Sequence, residues 1–197
     1  MERTQAHEEL AWIRSLMSES QSFLSGTWKH QLVWGLIATV GLVATWFAIQ
    51  TGSYGSIPWG WAVLIAVGWA YSLLSERSGS RHEVRNVAGR AFGGLWMGLG
   101  GTLTLLGGLS LTTGVIEGAL LTGLVPIVFG AGYFASGYLA GLRWLSGVGV
   151  AWWAGGVALL FWDSPDAILA LAAMTATLEM GPALVLQQIE RTRREAM

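Results

Sequence analysis

The chain has 197 residues, 53% of them hydrophobic and only 12% charged, with a net charge of −1, where a typical soluble domain carries about 25% charged residues. Together with a mean hydropathy of +0.51, this places it among integral membrane proteins and offers nucleic acid no basic surface. It contains no cysteine, which excludes disulfides, thiolate metal sites, iron–sulfur clusters and cysteine nucleophiles together.

The opening stretch, MERTQAHEEL, is polar and acid-rich. It has no basic segment leading into a short apolar core, so no cleavable signal peptide is expected. Residues 5–24 follow a helical amphipathic pattern, with Leu10, Ile13, Leu16, Met17, Phe23 and Leu24 on one face and Glu8, Glu9 and Glu19 on the other. The polar face carries more acid than base, which argues against adhesion to anionic lipid. A cytoplasmic amphipathic segment, residues 1–27, is expected to dock on the protein's own loops or on a partner.

Six apolar runs follow, at residues 31–50, 57–75, 90–113, 119–139, 144–162 and 167–188. Each is about 19 to 24 residues long, which matches roughly 30 Å of hydrocarbon at 1.5 Å per residue. The expected fold is an all-α integral membrane protein, a six-transmembrane-helix bundle over residues 28–189, followed by a basic tail at 190–197. With six spans all eleven basic residues fall on one side: Arg3, Arg14, Lys29, Arg77, Arg81, Arg85, Arg90, Arg143, Arg191, Arg193 and Arg194. The three opposite connections hold only Glu117, Asp163 and Asp166. The positive-inside rule then predicts both termini in the cytoplasm. Arg outnumbers Lys ten to one, the usage of a GC-rich bacterial genome, so the expected location is the bacterial inner membrane. Trp28, Trp46, Trp59, Trp61, Trp144 and Trp162 fall near run ends, as an aromatic belt places them.

Glycine marks two runs. Gly93-Gly94, Gly100-Gly101 and Gly107-Gly108 recur every seven residues in the third, and Gly123, Gly130 and Gly137 in the fourth. Small residues let helix backbones approach closely in lipid, where apolar attraction cannot drive association, so the third and fourth helices are expected to pack on each other through these rows. Trp34-Gly35, Trp96-x-Gly98 and Trp153-x-Gly155 sit at similar depths in the odd-numbered runs. Three parallel hairpins would produce this, and so would chance in a chain this rich in Trp and Gly.

The last run, AILALAAMTATLEMGPALVLQQ, carries Glu179 near its middle, the one Asp, Glu, Lys, Arg or His at the centre of any run. A charge there costs several kcal/mol, roughly 2.5 to 3.5 for Asp by insertion scales, which makes Glu179 the leading candidate for a functional site. Pro182 lacks an N–H, so the carbonyl of Leu178 loses its intrahelical donor. A carboxyl and a free carbonyl therefore lie side by side, with Thr175 one turn earlier and Thr177 close by. Ala172, Ala176, Glu179 and Ala183 are expected on the protein-facing side, with Leu171, Met174, Leu178 and Val185 opposite. Such a group suits a proton, an alkali cation or a solute amine; the alternative is a neutral acid that only holds two helices together. His7, His30 and His82 lie outside the cores of the runs, so neither haem ligation nor a metal site is expected. Asp163 and Asp166 form an outer turn in which Asp166 is a plausible N-cap. No catalytic centre is found, and no cofactor is expected.

Several segments resemble a family of small six-helix bacterial membrane proteins with no assigned activity. They are residues 10–17 (LAWIRSLM), residues 32–36 (LVWGL), residues 129–137 (FGAGYFASG) and a last run with a late proline, here Pro182. The resemblance implies the fold and the membrane location and supplies no chemistry. It also implies an apolar or aromatic residue near the position of Glu179, which makes that acid particular to this chain.

Two functions follow as expectations. The first is non-enzymatic binding or translocation of a proton, cation or small solute around Glu179, with a homodimer as the expected setting because six tight spans enclose little cavity. The second is a regulatory or assembly subunit that engages a cytoplasmic protein partner through its N-terminal helix and the polar connection at residues 76–89.

Overall fold

The computed structural model describes residues 27–78 and 87–195. The expected amphipathic helix of residues 5–24 and the centre of the polar connection, with His82, lie outside the described residues. The described residues form helices and no strand: α1 (Trp28–Gln50), α2 (Ser56–Ser78), α3 (Val87–Thr113), α4 (Gly118–Ala140), α5 (Arg143–Leu160), α6 (Asp166–Leu178) and α7 (Met180–Glu195). The fold is all-α. Five stretches are long and apolar enough to cross a membrane: α1, Ser56–Ser75 of α2, Gly89–Thr113 of α3, α4, and Asp166–Thr192, which runs through α6 and α7. The sixth expected span, α5, is not among them. It has 18 residues, about 27 Å of helix, and its apolar content is diluted by Arg143 and by four glycines.

The hairpin pairs α1 and α2, α3 and α4, and α4 and α5 run antiparallel. The register of α1 against α2 is set by Gly41 beside Trp61 and Leu64 and by Trp34 beside Gly68. That of α1 against α6 and α7 is set by three contacts: Trp46 to Asp166, Gly35 to Glu179 and Met180, and Trp28 to Glu190. The described basic residues Lys29, Arg90, Arg143 and Arg191 therefore gather at one end of the bundle, called here the basic end. The core lies where Phe92 of α3, Tyr133 and Ala140 of α4, Leu145, Trp152 and Leu159 of α5, and Ala167 and Leu171 of α6 meet.

The α4–α5 pair is the tightest, and its turn explains why. Gly141 adopts φ +67°, and the N–H of Leu142 returns to the carbonyl of Gly137 at 2.8 Å, the bond pattern of a glycine-closed helix end. Only residues 141 and 142 separate the two helices, so α5 folds back directly along α4. Gly123, Gly130 and Gly137 face it. A Cβ on Gly149 of α5 would lie 2.6 Å from the backbone nitrogen of Phe134 and 2.7 Å from the carbonyl of Gly130. Trp153 lies against Gly130 and donates its indole N–H to the Ile127 carbonyl at 3.0 Å.

The expected seam between the two glycine rows of α3 and α4 is thus replaced. The α4 row faces α5, while α3 reaches the other side of α4 through Trp96 and Leu99 at Gly132. Cβ atoms added at Gly93, Gly94, Gly98, Gly101, Gly107 or Gly108 would meet nothing within 4 Å, and one at Gly100 would meet only Trp69 of α2, at 3.7 Å. Apart from the contact of Gly100 with Trp69, the glycine row from Gly93 to Gly108 meets no neighbouring helix among the described residues.

The tryptophan pattern has a structural counterpart in two of its three instances. Trp34 of α1 covers Gly68 and donates to Ser72 of α2 at 3.0 Å. Trp96 of α3 covers Gly132 and donates to Ser136 of α4 at 3.1 Å. Both hairpins are clasped by an indole laid on a Gly-x-x-x-Ser face. Trp153 breaks the pattern by bonding a backbone carbonyl. The Ser72 hydroxyl also pairs with His30 at 3.0 Å, so Ser72→Ala removes one hydrogen bond from each of two side chains. The expected loss is about 1 kcal/mol, read as a lower midpoint in a denaturing-detergent titration of the purified protein.

Candidate functional site

The site begins with the break between α6 and α7. Pro182 offers no N–H to the carbonyl of Leu178, so regular hydrogen bonding lapses at this point. Glu179 occupies the junction at φ −100°, ψ −55°. Its N–H donates to the Thr175 carbonyl at 3.0 Å, and its carbonyl accepts from the Ala183 N–H at 3.4 Å. The two helices therefore continue as one interrupted rod, with the acid at the interruption.

Glu179 is 4% exposed. Its stem lies against α1, where a Cβ on Gly35 would come within 2.9 Å of the Glu179 Cγ; only glycine at position 35 leaves room for the acid. Tyr133 of α4, 0% exposed, faces it from the other side. Phenol and carboxyl lie within interaction range and their contact has hydrogen-bond character, but its geometry is poor, and the Tyr133 hydroxyl and Glu179 Oε2, both buried, have no other hydrogen-bond partner. Among the described residues no basic side chain interacts with Glu179. Buried polar atoms in native proteins nearly always find well-made partners, so two buried oxygens left with this one poor contact call for an explanation.

The other expected site residues divide. Thr175 is buried, and its hydroxyl is committed to the Leu171 carbonyl at 2.9 Å. Pro182 is buried and Leu178 half-buried, the latter against the core cluster. Thr177 is exposed, with its hydroxyl bonded to the carbonyls of Ala173 and Met174. Leu171 does not face away from Glu179, as expected, but lies on the same buried face, which runs Ala167, Leu171, Ala172, Thr175. Positions 171, 175 and 179 are each four apart and share one side of a helix. Asp166 does not cap α6: the N-cap is Pro165, Ser164 receives the Asp166 N–H, and the Asp166 carboxylate accepts the Trp46 indole N–H at 3.0 Å.

Three contributors were missed in the sequence: Tyr133, Gly35 and Gln31. Gln31, one turn before Gly35 on α1, buries a side-chain oxygen with no partner. Each lies within an apolar run, and only the pairing of helices shows that they converge. The described residues contain no group of three or more His, Asp or Glu able to hold a metal ion. Among the described residues one surface cavity is lined by Trp28, Lys29, Gln187, Glu190 and Arg191 and another lies between α1 and α2 around Trp61; neither of these is lined by Glu179 or Tyr133. Comparison with protein-family models, with curated proteins and with solved structures finds no match to the chain.

Proposed function

We propose that this chain is a non-enzymatic, six-span protein of the bacterial inner membrane, with both termini cytoplasmic, that binds an exchangeable proton at Glu179. The observation that carries the reading is the enclosed Glu179 carboxyl oxygen, whose contact with the buried Tyr133 hydroxyl is poorly made. An ionised carboxylate without a cationic partner is costly in such surroundings. A cation as hard as calcium would need six or more oxygens, and a solute would need a cavity of hundreds of cubic ångströms. A proton needs one lone pair. The break at Pro182 lets the rod bend at the acid, so a change of charge there can change the angle between α6 and α7.

In the full-length protein in lipid nanodiscs, the infrared difference between wild type and Glu179→Gln is expected to show one carboxyl band that titrates reversibly with pH. A band that never titrates would leave the acid as a structural hydrogen-bonding group and end the reading.

A second reading, that of a regulatory subunit, draws support from the Trp28–Glu190 hydrogen bond. Trp28 stands at the root of the N-terminal segment and Glu190 on the helix that follows the acid. A partner that grips residues 1–24 would therefore pull on α7. Pull-down of a cytoplasmic protein, lost on deleting residues 1–24, is the result this reading expects.

A further inference from the structure

The surroundings of Glu179 differ sharply toward the two ends of the bundle. Toward the far end, the face that α6 buries is Ala167, Leu171, Ala172 and Thr175, with the one hydroxyl among them bonded internally. Leu42 of α1 and Ala170 and Met174 of α6 pack on the same core, and the seam is closed at its mouth by Trp46 and Asp166. From Asp166 to Glu179 is 13 residues, about 20 Å of apolar packing.

Toward the basic end the distance is half as great, and although α7 buries Ala183 and Leu186 there, α1 contributes a polar side chain to the seam, Gln31. The α1–α7 seam opens there into a cavity of about 320 Å³ lined by Trp28, Lys29, Gln187, Glu190 and Arg191. From Trp28 to Gly35, which touches Glu179, is seven residues, about 10 Å along the helix axis. Gln31 lies between them and turns an unpaired oxygen into the buried side of α1. Polar atoms buried without a protein partner are those that internal water bridges.

We infer that Glu179 exchanges its proton with the basic-end face of the membrane alone, along the α1–α7 seam past Gln31, while the α1–α6 seam is a dry seal. This rests on the proton-binding reading and adds its sidedness. The step is simple: the carboxylate takes one proton from a hydronium arriving from the cavity, leaving a neutral carboxyl and a water, and the return step reverses it. The groups facing Glu179 are Gly35 and, a turn away, Gln31 from α1, Thr175 from α6 and Tyr133 from α4; among the described residues Tyr133 is the one other titratable group. Such an acid reads the pH of one compartment and conducts nothing across the membrane.

The test uses the full chain, whose lack of cysteine lets single cysteines report location. In proteoliposomes of known orientation, Gln187→Cys and Gln31→Cys are expected to react with a membrane-impermeant thiol reagent from the basic end only, and Leu42→Cys from neither end. Proton–deuteron exchange of the Glu179 carboxyl, followed by its infrared band, is expected to slow at least tenfold in Gln31→Leu. Unchanged exchange in Gln31→Leu, or labelling of Leu42→Cys from the far end, overturns the inference while the titrating band keeps the proton-binding reading intact. A missing band defeats that reading instead. Should Gln31→Leu fail to fold, the sidedness of Gln31→Cys labelling decides.

Discussion

Gly149→Leu is expected to separate α4 from α5 and cost about 3 kcal/mol or more of stability, the upper range for forcing bulk into a closed interface. The atoms that a side chain would meet there are the Phe134 nitrogen and the Gly130 carbonyl. Backbone atoms cannot rotate aside as a side chain does. The helices would have to move apart along their whole length, since Gly123, Gly137 and Gly156 make similar approaches. Gly98→Leu is the control. Nothing lies within 4 Å of that position, and leucine is the better helix former by roughly 1 kcal/mol, so stability should hold or rise slightly. Thermal aggregation of the two variants in detergent compares them directly. Equal stability would mean that the α4–α5 contact is looser than the structure has it.

Glu179→Leu is expected to act in the opposite direction and raise stability by about 1 kcal/mol or more. An enclosed polar atom without a partner carries its full desolvation cost, about 1 to 3 kcal/mol, and replacing buried charged groups by apolar ones of similar volume is often neutral or stabilising. Leucine fits the space that the acid fills beside Gly35. A stabilised variant that has lost the titrating band would mark Glu179 as a residue kept for function at the expense of stability. A midpoint lowered by more than about 1 kcal/mol would instead show that the acid holds α6 and α7 to their neighbours.

The two variants share one logic. At Gly149 the side chain is absent so that two backbones can touch. At Gly35 it is absent so that an acid can be enclosed. Both glycines look alike in a chain with 28 of them, and a seven-residue period does not separate them. The α3 row has the most regular period in the sequence and makes the fewest contacts, because a period reports only that small residues share a face. Which helix meets that face depends on the connections. The two-residue link at Gly141 brings α5 onto the glycine row of α4, leaving α3 to approach the opposite side through Gly132 and Ser136.

By itself the sequence determined the properties that are local to a helix. Hydropathy and run length identify helices that can cross a membrane, and the all-α class follows. Glu179 stands out as an acid within an apolar run, and Pro182 marks where hydrogen bonding must lapse, since both are matters of spacing along one chain segment. Only the tertiary structure decided what Glu179 faces: Tyr133 from α4, Gly35 from α1, and Gln31 a turn away toward the basic end. Those residues are separated from it by tens of positions or more, and nothing in their own segments distinguishes them. They meet because antiparallel packing sets the register of α1 against α6 and α7, through contacts at Trp28, Gly35 and Trp46. That register is a property of two surfaces together, and neither surface carries it alone.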